Sequence, residues 1–372
     1  MKPNDIAERV ARINDELIKR RDEMSSYTII RRNRNLQEEY FEIINEKDIS
    51  SVSNKCKVSI IILTYEPQIE KLAFTLESVV NQKHIDFEIL ISDDGSKNSL
   101  LSENIEYLEA REFTDYSIVL HKFNVGTVKN IYDATLVAGG TYIKLISPGD
   151  AIAYDNTISE WVEYLNRSGR RWSFGEAVYY KRNQDLKIEL LSKPCNPQVT
   201  KCYLQHQDNI CRMNYVGYDD ITLGAATLCE KELMLRYLNR LIGKVIYAED
   251  NIYRIMMFDN CLAEYFPQIV VVYEYGLGVS TSSSLSWKEK LKKDWEETDK
   301  ILLNEGADND IVQRKIKKIY GKRYNANRRI RKYLKLLNFW QLRMIIKRRF
   351  LPRMSSTEFI FQDLGNKKSL FT

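Results

Sequence analysis

Apolar residues fall along this chain in short unbroken runs that alternate with stretches where they recur every three to four positions. Val58-Ser59-Ile60-Ile61-Ile62-Leu63-Thr64 is the first such run. Thr64-Tyr65-Glu66-Pro67 closes it and opens a helix to about residue 82, with proline in the first turn and Leu72, Leu76, Val79 and Val80 on one face. A second run, Phe87-Glu88-Ile89-Leu90-Ile91, ends abruptly in Ser92-Asp93-Asp94-Gly95-Ser96. The pattern then predicts a helix over 99–112, a strand over 116–121, the segment Asn124-Val125-Gly126-Thr127, a helix over 128–137, a Gly139-Gly140 stop and a strand over 141–146. Near-continuous β-formers suit strands covered on both faces. The repeated β-α order predicts a mostly parallel α/β sheet with right-handed crossovers. Ligands bind such sheets beyond the carboxyl ends of the strands, which is where Asp93 and Asp94 fall. An Asp-Asp-Gly turn is also common in solvent; the buried runs on either side favour the crevice.

The flanks read differently. In the highly charged segment 1–54, Ile6, Val10, Ile13 and Leu17 form one narrow stripe on a helix over about 4–24, capped by Asn4 or Asp5, which suits docking or a short coiled coil. Composition shifts at Ser51-Val52-Ser53-Asn54-Lys55 and marks a boundary. From Ser284 the chain is helical and increasingly basic, with no Asp or Glu from Ile311 to Thr357. Ile330, Leu334, Leu337, Phe339, Trp340 and Met344 interrupt the charges, as in a basic amphipathic element at a membrane surface, where each basic group contributes about 1 kcal/mol. Nucleic-acid binding is the lesser alternative, since no nucleic-acid motif accompanies the charges.

A chain of 372 residues with 44% apolar content holds one large domain with appendages or two domains, and the net charge of +5 matters chiefly for its uneven spread. No apolar run reaches the roughly 20 residues that span a bilayer. Six cysteines without a C-x-x-C pair, and no charged-then-apolar leader, lead us to expect a reducing cytoplasm. The group Cys195, Cys202, His206 and Cys211 lacks the tight cysteine pair of a structural zinc site, so free thiols are expected.

Candidate chemistry begins with what is missing. No G-x-G-x-x-G follows the first strand and no G-x-x-x-x-G-K-[ST] occurs, so phosphate would be handled by a divalent cation on one or two carboxylates. Lys144-Leu145-Ile146-Ser147-Pro148-Gly149-Asp150 is again a strand ending in a turn and a carboxylate, at the same sheet edge as Asp94. A second acidic pair, Glu249-Asp250, precedes Ile252, Ile255 and Met256 at helical spacing, which places it in a first turn where the helix dipole favours negative charge. Taken in isolation, simple N-capping is the better account of that pair.

Taken in order, Val58 to Tyr65, Glu88 to Ser96, Asn124-x-Gly126 with Asn130, and Gly140-x-Tyr142-Ile143 with a terminal Asp150 resemble the nucleotide-binding half of family 2 glycosyltransferases of GT-A fold, the kind that assemble bacterial surface polysaccharides. The resemblance covers about residues 57–275. With the helical segment at 1–54 and the basic helical region at 284–372 read above from the flanks, it implies a GT-A domain at 55–283 with a nucleotide-sugar half (55–150) and an acceptor half (151–283). It implies that Thr64, Tyr65, Glu66 and Asp94 line the base and ribose with Asp93 close by, and that Asn124, Gly126 and Asn130 belong to the same nucleotide-sugar site. By the same resemblance Asp150 contacts Mn²⁺ or Mg²⁺, Asp250 is the general base with Glu249 orienting it or touching the acceptor, and Ser280 and Thr281 reach the diphosphate. Either close approach of an acceptor sugar or tight packing accounts for Gly224 and Ala225.

The implied reaction is inverting transfer from a nucleotide-diphosphate sugar, UDP favoured, to a glycan or lipid-linked oligosaccharide. Its setting is the inner face of the cell membrane, with the membrane surface as partner, no nucleic acid and oligomerisation open. One departure stands out. Ser147-Pro148-Gly149-Asp150 replaces the family's Asp-x-Asp and leaves one carboxylate. A GT-A-like binding or scaffold protein without turnover is therefore the alternative.

Overall fold

The computed structural model describes residues 3–20, 26–32, 41–45, 56–182, 188–191, 196–276 and 284–325. In chain order the elements are α1 (Pro3–Arg20), β1 (Tyr27–Arg32), β2 (Phe41–Asn45), β3 (Cys56–Thr64), α2 (Ile69–Val80), β4 (Phe87–Asp93), α3 (Leu101–Ala110), β5 (Tyr116–His121), α4 (Thr127–Val137), β6 (Gly140–Ile146), β7 (Ala151–Ile152) and α5 (Thr157–Ser168). They continue with β8 (Trp172–Arg182), β9 (Ile188–Leu191), α6 (Lys201–Leu204), α7 (Asp208–Arg212), β10 (Thr227–Glu230), α8 (Lys231–Leu241), α9 (Asn251–Phe258), β11 (Glu264–Glu274), α10 (Leu285–Asn304) and α11 (Ile311–Asn325). The chain forms two compact units, Met1–Val162 with Leu228–Glu249, and Glu163–Thr227 with Asp250–Thr372.

In the first unit β5, β4, β3 and β6 lie side by side in parallel, as the β-α repeat predicts. Ile60, Ile61 and Ile62 of β3 and Ile89, Leu90 and Ile91 of β4 are fully buried, which is why neither run alternates with polar residues. Leu72, Leu76 and Val79 of α2 face inward, and β10 pairs antiparallel with β6.

The expectation of a helical 1–54 segment holds for α1, which buries Ile6, Val10 and Ile13 and packs against α3. It does not hold for the next two elements, which are strands. β1 pairs antiparallel with β5, and β2 with β1, extending the sheet. Tyr27-Thr28-Ile29-Ile30 is a short run among charges, and those charges are absorbed rather than solvated. Buried Arg31 donates from Nε to Ser117 Oγ at 3.1 Å, and Arg32 pairs with Glu109.

The second unit is built on β8, with β11 parallel and β9 antiparallel to it. Its core is aromatic. Trp172 stacks on Tyr253 at 4.8 Å, meets Tyr215 edge-on at 6.1 Å, and donates from Nε1 to the Cys261 carbonyl at 3.1 Å. Every residue of α9 is buried. Helix α10 packs on α9, and α11 on α10 and on the turn at Met213–Gly217. The Cys202 and Cys211 thiols lie together in this unit, and no cluster of three His, Cys, Asp or Glu residues fit for a metal occurs among the described residues. Cys195 and the amphipathic stretch beyond residue 325 lie outside the described residues.

Candidate active site

Parallel pairing sets the site of the first unit. β3 and β4 pair with Thr64 opposite Asp93, and β3 and β6 with Ile62 opposite Ile146, so Thr64, Asp93-Asp94 and the turn leading to Asp150 leave one sheet at one edge. Asp93, 2% exposed, is engaged by the turn itself. Its Oδ1 accepts from Thr64 Oγ1 at 3.0 Å and Ser96 Oγ at 2.7 Å, and its Oδ2 from the Ser96 N–H at 2.8 Å. Asp94, 5% exposed, reaches the next loop, where Oδ1 accepts from the Val125 N–H at 2.7 Å and Oδ2 from the Gly126 N–H at 3.1 Å. Burial raises the Asp94 carboxyl above its ordinary range while those two N–H groups pull it back.

Two glycines make this closeness achievable. Gly95 adopts φ +73°, and a Cβ there would lie 2.3 Å from the Phe123 carbonyl carbon; Gly126 adopts φ +86°, and a Cβ there would lie 2.4 Å from Ile246 Cγ2. Tyr65 and Glu66 are exposed above the turn. Glu66 is held at φ +46°, unusual for a side-chain-bearing residue, by its N–H to Ser96 Oγ at 2.7 Å and by the Lys97 N–H to its Oε1 at 3.0 Å. Asn124 is exposed at the mouth of α4. Asn130 faces the other way, its amide fixed to the Ser92 hydroxyl and carbonyl of β4.

Asp150 is 5% exposed. Its N–H donates to the Ser147 carbonyl at 3.0 Å, and its own carbonyl accepts from Thr75 Oγ1 at 2.7 Å, which stitches the turn to α2. Beneath it Lys144 is fully buried, donating from Nζ to the Leu145 carbonyl at 2.7 Å. Burial pushes the Lys144 ammonium down to about 7, and the Asp150 carboxylate opposes that fall. A divalent ion here would take one protein carboxylate and draw its other ligands from donor phosphate and water, a fit with magnesium or manganese rather than with a closed protein cage.

In the second unit Asp250 stands at the entrance to α9 and is half-buried. The enclosing protein pushes its carboxyl up to about 6, while Arg254 and the N–H groups of Asp250 and Asn251 pull it down. Glu249, also half-buried, is the last residue of the first unit. Gly224 is buried, its carbonyl accepting from Thr227 Oγ1 at 2.6 Å, and that hydroxyl also meets Tyr253 Oη at 2.7 Å. Ser280 and Thr281 lie outside the described residues. Lys144, Thr75 and Ser92 join the site without having been singled out by the sequence pattern. Lys144 alone had a visible signal, a cation inside the run Ile143-Lys144-Leu145-Ile146.

Residues 59–214 match the family described as Glycosyl transferase family 2. No curated protein matches the chain. Among solved structures, S. aureus TarS 1–349 in complex with UDP is 16% identical over 78% of this chain and 78% of that one, with a TM-score of 0.49. The same TarS fragment with UDP-GlcNAc is 17% identical over 73% and 77%, with a TM-score of 0.48. The mannosyltransferase PcManGT from Pyrobaculum calidifontis, with GDP-Man and Mn²⁺, is 13% identical over 80% and 88%, with a TM-score of 0.47.

Proposed function

We propose that this chain, whose residues 59–214 match the family described as Glycosyl transferase family 2, is an inverting enzyme that moves a sugar from a UDP-sugar to a hydroxyl of a glycan or lipid-linked oligosaccharide. One observation carries the reading: three parallel strands deliver Thr64, Asp93-Asp94 and Asp150 to one carboxyl edge, where ligands of such sheets bind. Tyr65, Glu66 and Asn124 would meet the nucleoside directly. Asp93, Asp94, Gly126 and Asn130 would act by holding the loops that present it.

The acceptor oxygen attacks the anomeric carbon as the bond from that carbon to the diphosphate oxygen breaks on the opposite face. Asp250 takes the acceptor's proton, and the nucleoside diphosphate departs with the electron pair. A carboxyl raised to about 6 remains ionised at neutral pH yet is basic enough to accept a proton, and a positioned base contributes about 10²- to 10⁴-fold. A Mn²⁺ or Mg²⁺ ion at Asp150, when bound, would supply charge stabilisation to the leaving diphosphate. Glu249, as chain neighbour of the base, is proposed to orient it or the acceptor, and the Ser280-Thr281 loop to reach the diphosphate.

Attachment to an anionic membrane surface is proposed through the basic C-terminal residues, since Arg314, Lys315, Lys318 and Lys322 are exposed on α11. No helix among the described residues is long and apolar enough to cross a membrane.

A thermal-shift panel of uridine, guanosine and thymidine diphosphates with and without Mn²⁺ tests the donor site. A raised midpoint with UDP that needs Mn²⁺ and weakens in Asp150→Ala is the expected result. No shift with any nucleotide at millimolar concentration would count against the reading.

A further inference from the structure

His121, the last residue of β5, lies opposite Tyr27 in the pairing with β1, and its side chain is fully buried. The ring bridges two elements of the first unit. Nδ1 lies 3.0 Å from the Asp93 carbonyl oxygen at the end of β4, and Nε2 lies 3.1 Å from Asp133 Oδ2 on α4, a carboxylate whose side chain is itself buried. Lys129, one turn earlier on α4, donates from Nζ to both oxygens of Asp133. The Tyr27 ring covers the imidazole at a centroid separation of 5.3 Å.

A buried histidine between a strand and a helix is ordinarily a packing residue, with one nitrogen donating and the other accepting. This ring has no such division. A carbonyl oxygen can only accept, and a carboxylate held by Lys129 is ionised and can only accept, so both ring nitrogens must carry hydrogen. The ring is then an imidazolium. The charged and titratable groups around it are Asp93 and Asp94 from β4, Lys129 and Asp133 from α4, and Tyr27 from β1. Loss of its second proton would leave the remaining hydrogen on Nε2, beside the carboxylate, and turn the Nδ1 lone pair toward the Asp93 oxygen. That oxygen belongs to the turn whose next carboxylate, Asp94, organises the Val125 and Gly126 N–H groups.

We propose that His121 is a positioning residue of the donor site, an imidazolium that clasps the Asp93 carbonyl to Asp133 and thereby fixes the Asp93-Asp94 turn for the nucleotide. The proposal rests on the reading of that turn as the site of a nucleoside diphosphate. It makes donor affinity depend on one proton held behind the turn.

The test follows the ring and the nucleotide together from about pH 5 to about pH 9. Replacing the two exposed histidines, His84→Asn and His206→Asn, leaves His121 as the one ¹³C-histidine signal, and asparagine tolerates the left-handed backbone of both positions. UDP affinity is measured on the same chain by calorimetry with Mg²⁺, and comparison with His121→Gln cancels the ionisation of UDP itself. Wherever the ring is doubly protonated, the His121 chain should bind UDP about tenfold more tightly than His121→Gln, the size of one hydrogen bond to a charged group. Where the ring has lost its second proton the two should converge; if it stays charged to the top of the range, the gap should persist to the same point. Asp133→Asn removes the carboxylate that favours the charged ring, so the ring's midpoint and the fall in affinity should move together to lower pH.

A ring with a single proton throughout, equal affinities while it is charged, or a gap that outlives the proton overturns the proposal. Should His121→Gln not fold, an Asp133→Asn chain whose ring midpoint stays, or moves without the affinity, overturns it as well. Failure of the underlying reading shows differently: the His121 chain then binds no UDP at any pH, and the proposal falls with it.

Discussion

At the residue scale, the acids of the first unit act mainly through the backbone they hold. Asp94→Ala would strip acceptors from the Val125 and Gly126 N–H groups, each costing about 1–3 kcal/mol when left unpaired. We expect a lower melting midpoint together with weaker UDP binding by calorimetry; unchanged values of both would show that the loop holds itself. Asp250 gives a pH prediction. Its folded pKa, about 6, lies above the ordinary value of 3.8, so kcat/KM should climb as pH rises through 6 and level off above it. Stability takes the opposite sign: the folded state binds the proton more tightly, so between about pH 4 and 6 this group's contribution falls as pH rises. Asp93, Asp94 and Asp150 were legible in the sequence because each follows a buried run, and Asp250 because it heads an apolar helical repeat. Their partners were not. Asp94 bonds to residues 31 and 32 positions away, and nothing in a local pattern names them. Lys144 could be seen as a cation in an apolar strand, but its closeness to Asp150 depends on the turn between them.

At the element scale, the helices and strands of the β-α repeat followed from periodicity because burial on one or both faces dictates it. β5 spans Tyr116–His121, the range the pattern predicts. β11 runs Glu264–Glu274 with Pro267 inside it. The sheet accommodates that proline at an exposed irregularity between Tyr265 and Ile269. β1 and β2 were missed since Arg31 and Arg32 read as solvated. Two substitutions test the connections between elements. Gly126→Ala would force a Cβ against Ile246 in a left-handed backbone, an expected loss of about 1–3 kcal/mol by chemical denaturation. Thr75→Val would leave the Asp150 carbonyl without its hydroxyl donor; the expected result is a modest stability loss of about 1–3 kcal/mol and a weaker Mn²⁺-dependent nucleotide shift. If Thr75→Val keeps the full Mn²⁺ response, the turn does not depend on α2.

At the scale of the whole molecule, the basic C-terminal region divides by what it does with its apolar face. α10 and α11 turn Ile301, Leu302, Ile316 and Tyr320 into the second unit and leave Arg314, Lys315, Lys318 and Lys322 exposed. In the proposed membrane attachment their contribution is therefore electrostatic. Truncation after residue 325, which keeps α11 with its exposed Arg314, Lys315, Lys318 and Lys322, should preserve folding and weaken sedimentation with anionic phosphatidylglycerol vesicles, and wild-type binding should weaken steeply with salt. Sedimentation unchanged by the truncation would show that the residues beyond 325 take no part in attachment. The central claim, sugar transfer with Asp250 as base, is tested most directly by UDP release. The 372-residue chain is incubated with UDP-glucose or UDP-N-acetylglucosamine and Mn²⁺, wild type against Asp250→Asn, with UDP binding measured in parallel. The account predicts turnover by wild type that falls about 10²- to 10⁴-fold in the variant while UDP binding is kept. Equal turnover in the two proteins, or UDP bound by neither, would contradict it.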